Sequence, residues 1–376
     1  MSETARCQRC GARDRLRPKA ILAGSVILAL AFGVPLACVS GPGSTFNPAS
    51  PAIDTRQLDS LLSRTAAEWD SGCSLLLVQG HKVLYEQSFG RFDPRKPLRI
   101  ASATKWLTAA VVLRLADEGR LSLDDPAARY LPGFAGDKAR ITIRQLLSHM
   151  SGLPIAGPMM ERRDITLEQA VDAIAQLPLM SAPGEACVYG DVSVQVAGRI
   201  AEIAGGLQGS SGRIWKELFR TKLTDPLEMT QTSSEGVAPT DNPHLAGGAI
   251  STVQDYANFL TMLLDGGEFR GRRILAAASI GEMFRDQTGG RPFRFNPFQL
   301  FPELCPGWRD VRYGLCTWLE RTDVVSGLGR EASAPGVFGF CPWVDFDLGL
   351  AGVFASEAGM DKAFPVYLKL KSLIKR

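Results

Sequence analysis

Ser102-Ala-Thr-Lys105 sets a hydroxyl and an ammonium three residues apart at the head of an apolar run, Trp106 to Leu115. A serine hydroxyl is a weak nucleophile at neutral pH and needs a neighbour to take its proton. Two residues three apart share a helix face, so Lys105 can reach back to the Ser102 oxygen. A helix N-terminus adds partial positive charge and unpaired N–H groups where an oxyanion would form. The chemistry open to this pair is acyl transfer through Ser102. Spacing alone does not decide it, because Ser372-Leu-Ile-Lys375 has the same pattern in a tail that reads as structural.

Rival chemistries find less in the chain. It holds 3 histidines and no Gly-x-Ser-x-Gly elbow, which leaves a Ser-His-Asp site on His149 weakly supported. His81 sits between two short strands and reads as a solvated turn residue. No His, Asp or Glu cluster has metal-ligand spacing, so no metal and no cofactor is expected. Cys7 and Cys10 form one C-x-x-C without a second pair. Cys73, Cys187, Cys305, Cys316 and Cys341 show no framework spacing, and buried free thiols are the expectation for most of them.

The elements that must position Ser102 follow from periodicity. Ile53–Asp70 has helical spacing. Cys73–Val78 and Lys82–Phe89 are two strands around Gln79-Gly80-His81, a hairpin. Helical patterns follow over Lys105–Glu118, Leu146–His149, Leu167–Leu177, Val192–Ala204, Trp215–Phe219 and Thr252–Leu264. Residues 285–309, rich in Pro, Phe and Arg, read as an irregular excursion. Tyr313–Leu319, Val337–Val344 and Leu348–Phe354 read as strands, and Val366–Ile374 as a closing helix. Strands at both ends with a helical insertion imply that the chain returns to complete one sheet.

At 376 residues the chain can bury a large core. Its net charge of +3 comes from the N-terminus, where Arg6, Arg9, Arg13, Arg15, Arg17 and Lys19 face only Glu3 and Asp14. The remainder holds 36 basic and 37 acidic residues, with no basic excess to suggest nucleic acid. The basic stretch precedes Ala20–Ala37, 18 residues without a charge. This reads as an export leader, with Leu36-Ala37-Cys38 like a lipoprotein cleavage site and Cys38 the residue to be lipidated. Pro35 departs from that pattern, so a plain cleaved signal or an uncleaved anchor stays open. The expected organisation is a leader over 1–38, a linker over 39–52 and one enzyme domain over 53–376. Its sheet part is 53–98 and 310–376, and its helical part 99–309. The expected location is periplasmic or cell-envelope, membrane-attached through the leader or a lipid.

Several segments together resemble the serine β-lactamase and penicillin-binding-protein-like superfamily, in its class C β-lactamase and family VIII carboxylesterase branch. They are Ile100-Ala-Ser-Ala-Thr-Lys105, Gly119-Arg-Leu-Ser-Leu-Asp-Asp125, and Ile141-Thr-Ile-Arg-Gln-Leu-Leu-Ser-His-Met-Ser-Gly-Leu-Pro154. Pro183-Gly184 before Tyr189, Gln195-Val-Ala-Gly-Arg-Ile200, Gly247-Gly-Ala-Ile-Ser-Thr252 and Trp343-Val-Asp345 complete the set. The resemblance implies an α/β (α+β) β-lactamase/transpeptidase-like fold, an antiparallel sheet flanked by helices with an inserted helical domain. It implies Ser102 as the acylated nucleophile, Lys105 as its base partner and Tyr189 as general base or acid. A charged Lys105 beside Tyr189 would lower the phenol below its usual ~10. The backbone N–H groups of Ser102 and Val337 would form the oxyanion hole.

Tyr256-Ala-Asn258 matches the family's Tyr-x-Asn motif letter for letter but sits in an amphipathic helical pattern. Tyr189-Gly190-Asp191 has the right neighbours. Asp191 then stands where the family has Asn, and an ionised Asp only accepts hydrogen bonds. Asp191 could pair with Lys105 instead. Ala334-Pro335-Gly336 aligns with the third motif, and Ala334 offers no cation for a substrate carboxylate. With Asp191, Ala334 and Gly336 lining the substrate site, small or medium acyl esters or lactones are favoured. Phe293, Phe295, Phe298 and Phe301 could line an apolar pocket or simply pack a loop. A D-alanyl-D-alanine carboxypeptidase acting on peptidoglycan, a weak β-lactamase and a non-catalytic binding scaffold are the alternatives.

Overall fold

Leu75, Leu76, Leu77 and Val78 are all buried, and they divide alternately between two hydrophobic clusters. Successive strand side chains point to opposite faces, so a continuous apolar run needs cover on both. In a computed structural model of the chain, which describes residues 53–300, 308 and 311–374, helices supply that cover. The sheet has seven antiparallel strands: β1 (Cys73–Gln79), β2 (Lys82–Phe89), β3 (Arg312–Tyr313), β4 (Trp318–Thr322), β5 (Gly329–Ser333), β6 (Phe340–Asp345) and β7 (Leu350–Ser356). Their order is β2-β1-β7-β6-β5-β4-β3. The first strand lies against the last, from Cys73 opposite Ser356 to Gln79 opposite Leu350. The chain therefore returns to complete the sheet, as its strand pattern implies.

One face carries the terminal helices α1 (Thr55–Glu68) and α9 (Met360–Ile374), with Leu58, Leu62, Phe364 and Tyr367 in the core. The other face carries α2 (Thr104–Asp117) and α7 (Val253–Leu264), with Trp106, Tyr256 and Phe259. Further helices lie between: α3 (Ile143–Leu147), α4 (Leu167–Ala175), α5 (Val192–Gly205), α6 (Arg213–Phe219) and α8 (Ala277–Met283). Helix α2 is buried almost all round, from Thr104 to Leu113. Helices of that kind belong inside a fold, and α2 carries the site at its N-terminus.

The structure corrects three expected elements and adds a strand. Tyr313–Leu319 is two strands, because Gly314 N–H donates to the Thr317 carbonyl and Cys316 takes a φ of +56°. Strand β5, Gly-Arg-Glu-Ala-Ser, escaped notice because Arg and Glu hide its burial. Val337 belongs to a turn before β6, closed by Gly339 N–H to the Gly336 carbonyl at 3.0 Å. Helix α9 starts six residues ahead of Val366 and holds Pro365 inside its second turn, where the missing N–H forgoes a bond to the Asp361 carbonyl. The leader, the linker to Ala52, Cys305, Phe301 and Lys375 lie outside the described residues. Cys73, Cys187, Cys316 and Cys341 are free and buried.

Candidate active site

Ser102 sits in a short 3-10 turn, Ala101–Ala103, that runs directly into α2. Ala101 has a φ of +46°, a strained conformation for a residue with a Cβ. The turn is held from behind, since Tyr256 donates its hydroxyl to the Ala103 carbonyl at 2.8 Å. That contact gives Tyr256 a structural place in α7, and Asn258 likewise donates to the Leu227 carbonyl at 3.0 Å. Neither member of the second Tyr-x-Asn match faces Ser102.

Lys105 is buried and its three N–H donors have three acceptors. They are Ser102 Oγ at 3.2 Å, Asp191 Oδ1 at 2.7 Å and the Ala246 carbonyl at 2.9 Å. Burial works against the ammonium, but the Asp191 carboxylate and the Tyr189 oxygen outweigh it and push the Lys105 pKa up. Lys105 is therefore a cation with no lone pair to offer. Burial also opposes ionisation of Asp191, yet Lys105 and His244 hold its carboxyl far below the usual range.

Tyr189 and Asp191 lie on either side of Gly190, just before α5. Gly190 presses on Ile155, where an added Cβ would come within 2.3 Å of the carbonyl oxygen. Asp191 N–H donates to that same carbonyl at 2.7 Å. Asp191 holds the N-cap position of α5 but makes no capping bond; its carboxylate turns to Lys105 instead. The Tyr189 ring is buried among His149, Tyr313 and Trp318, with centroids 4.7, 6.0 and 4.9 Å away. The Lys105 Nζ lies 4.8 Å from its centroid. Ser102 and Lys105 stand close enough to the phenol to favour its ionised form. The expected lowering of the Tyr189 pKa is corrected by this setting. Burial raises it, and the nearby Lys105 and Ser102 offset only part of that rise. Because Lys105 donates to Ser102, the Ser102 proton is free to point at Tyr189.

The remaining expected residues come from the β5–β6 connection. An added Cβ on Gly336 would meet the Ile100 carbonyl at 2.2 Å and Ala101 Cβ at 3.2 Å, so this backbone lies directly on the Ser102 turn. The Ala101 carbonyl accepts from Thr104 N–H, and the Gly336 carbonyl from Gly339 N–H. A peptide plane points its N–H opposite its C=O, so both pins turn the Ser102 and Val337 N–H groups away from these bonds. Ala334 is buried, with its N–H paired to the Pro342 carbonyl at 3.2 Å, and brings no charge. Phe293 stacks on Trp318 at 5.7 Å, while Phe298 is buried against Trp308 and Phe364 and packs the loop onto the body. Phe295 takes part through its carbonyl, which accepts from Tyr189 N–H at 3.2 Å.

His149 does not serve Ser102. Both ring nitrogens are buried without a hydrogen-bond partner among the described residues. Burial, then the Lys105 charge, pushes its pKa down to about 3, so the ring is a neutral plate under Tyr189. The residue missed in the sequence is His244, whose Nε2 lies 3.2 Å from Asp191 Oδ2.

These features agree with the family comparison. The Beta-lactamase family model matches residues 61–360, and the chain belongs to that family. It is a β-lactamase-family serine hydrolase. The protein flp of Staphylococcus aureus (strain N315) is 31% identical over 185 residues, 43% of this chain and 34% of that protein. The chain thus matches about a third of the length of that relative. The solved structure of a β-lactamase candidate from Bacteroides dorei DSM 17855 is 30% identical, with a TM-score of 0.75 over 86% of this chain and 99% of that one. A family VIII carboxylesterase structure shares the fold at 19% identity, with a TM-score of 0.65 over 84% of this chain and 96% of that one.

Proposed function

We propose that this chain hydrolyses carboxylic esters of small or medium acyl groups through a Ser102 acyl-enzyme. The observation that carries the reading is the convergence of Ser102, a charged Lys105 and Tyr189 beside a third motif without a cation. Ser102 Oγ attacks the ester carbonyl carbon and its proton passes to the Tyr189 oxygen. The Ser102 and Val337 N–H groups receive the oxyanion. The tetrahedral species collapses, the C–O bond to the alcohol breaks, and the alcohol leaves with the Tyr189 proton. Water then attacks the acyl-enzyme, Tyr189 takes one of its protons, and the acid departs as Ser102 Oγ is reprotonated. Lys105 stays charged throughout and stabilises the phenolate.

The substrate class rests on two residues. Ala334 supplies no cation for the carboxylate of a penicillin or a peptide terminus. Asp191 has no N–H to donate to an acyl-amide carbonyl. Val337 and Phe338 are the partly exposed apolar residues at the turn beside Ser102, and Arg99 stacks over the Phe338 ring at 4.2 Å. An apolar acyl group with a good alcohol leaving group suits that surface. Rates on p-nitrophenyl acetate, p-nitrophenyl butyrate and nitrocefin test this. The expected kcat/KM for either ester exceeds that for nitrocefin by roughly 100-fold or more, about 2.7 kcal/mol. Nitrocefin turnover equal to the ester rate would remove the ester assignment.

A further inference from the structure

His244 stands three residues before Gly247-Gly248 on a segment that touches both catalytic helices. Gln195, one turn into α5 from Asp191, donates to Asn242 Oδ1 at 3.0 Å and to the Pro243 carbonyl at 2.9 Å. Its Oε1 accepts from Leu245 N–H at 3.0 Å. From α2, Thr108 donates to the Leu245 carbonyl at 2.7 Å, and Thr104 Oγ1 accepts from Ala249 N–H at 3.2 Å. Gln195 is fully buried and all three of its side-chain bonds grip this one segment. The His244 carbonyl accepts from Gly247 N–H at 3.1 Å and Gly248 N–H at 2.6 Å. The tight turn so formed presents the Ala246 carbonyl to Lys105. Gly248 has no room for a side chain, since an added Cβ would come within 2.9 Å of the His244 carbonyl.

The outcome is a built chain of contacts. Ser102 Oγ meets Lys105 Nζ, Lys105 Nζ meets Asp191 Oδ1, and Asp191 Oδ2 meets His244 Nε2. A carboxylate that replaces an amide at this position has two oxygens to satisfy and no N–H of its own. Lys105 donates to one oxygen, and His244 Nε2 stands 3.2 Å from the other without the alignment of a hydrogen bond. We propose that His244 is a positioning residue for this hydrolase: its imidazole, packed 3.2 Å from Oδ2, fixes the Asp191 carboxylate, and through it the Lys105 ammonium that orients Ser102. Asp191 and His244 then form one unit, the Asp tolerated at an Asn position because His244 accompanies it. His244 touches no reacting atom in this scheme.

This inference rests on Ser102 being the acylated residue, and its test separates the two. His244→Ala, His244→Gln, Asp191→Asn and the double variant His244→Ala/Asp191→Asn are compared with the unaltered protein. The readouts are the rate of Ser102 labelling by a fluorophosphonate, kcat and KM on p-nitrophenyl butyrate, and urea unfolding. The expected result is a loss of about tenfold in labelling rate and kcat for His244→Ala. KM should stay within about twofold. His244→Gln, which keeps an N–H donor, should recover most of that loss. In the Asp191→Asn background, His244→Ala should cost nothing further. An equal loss in both backgrounds, or a KM rise without a fall in kcat, would overturn the proposal in favour of direct substrate contact or simple packing. Should the unaltered protein show no Ser102 labelling, the acyl-enzyme reading falls by itself. The His244–Asp191 unit is then read from unfolding, where strictly additive effects of the two substitutions would reject it.

Discussion

In the proposed reaction, proton transfer turns on Tyr189. Its phenol is raised above the ordinary range by burial, with Lys105 and Ser102 pulling partly back. A raised pKa leaves the phenolate, the proton acceptor, a minority species at neutral pH. Each pH unit below that pKa then lowers the reactive fraction tenfold. Ester kcat/KM should therefore climb steadily with pH through the alkaline range. Tyr189→Phe should lower kcat by about 100- to 10,000-fold and abolish that climb. A profile flat above pH 7, or normal rates in Tyr189→Phe, would assign the proton to another group. That Ser102, Lys105 and Tyr189 would lie together was legible in the sequence because each sits inside a local pattern of spacing and neighbours. His244 was not, because nothing within a few residues distinguishes it from any histidine after a proline. Only the fold brings it to Asp191, 53 positions earlier in the chain.

At the scale of elements, the site depends on contacts that sequence periodicity cannot display. The β5–β6 connection reads as strand because Val337 to Val344 is apolar, yet Gly336 and Gly339 close it into a turn. That turn lays the Gly336 backbone on the Ile100–Ala101 segment before Ser102, and the proposed oxyanion site would use the Val337 amide that follows. Gly336→Ala would drive a Cβ into the Ile100 carbonyl, a backbone atom that cannot step aside. A displacement near 1 Å costs roughly 100-fold in rate, so Gly336→Ala should lower kcat by about that factor while the protein stays folded. Unchanged kcat would remove the turn from the oxyanion site. Helix α9 shows the same dependence on fold. Lys371 is buried with Glu320, which it meets in a close ion pair, and with Glu331 at 2.5 Å. Tyr367 donates to Glu320 at 2.6 Å. Burial opposes the Lys371 charge, but the two carboxylates outweigh it and raise its pKa. A raised lysine is fully stabilising below the unfolded value near ~10.4 and loses that contribution only as pH rises through the folded pKa. Lys371→Met, which strips two buried carboxylates of that cation, should cost about 3–5 kcal/mol in urea unfolding at pH 7. A loss under about 1 kcal/mol would mean that the remaining partners hold the charges.

The whole molecule explains why Ser102 sits where it does. The chain lays β1 and β2 first, spends residues 90–311 on the helical part, and then returns to place β7 against β1. The returning strands carry Ala334, Gly336 and Val337 to the N-terminus of α2, so the site closes only when the sheet does. Strand patterns at both ends made that return legible; the order of strands within the sheet was not, because pairing depends on partners far apart in sequence. The same closure brings together the Ser102 turn before α2, the Tyr189 segment before α5 and the β5–β6 turn, the parts the proposed reaction would use. Together, in the proposed reaction, these parts make Ser102 an acylated nucleophile. Intact-mass and peptide mass spectrometry after exposure to a fluorophosphonate tests it most directly. The account predicts a single stoichiometric adduct on the peptide bearing Ser102, absent in Ser102→Ala and slowed by at least about 100-fold in Tyr189→Phe. No adduct on folded protein, or an adduct that persists in Ser102→Ala, would contradict it.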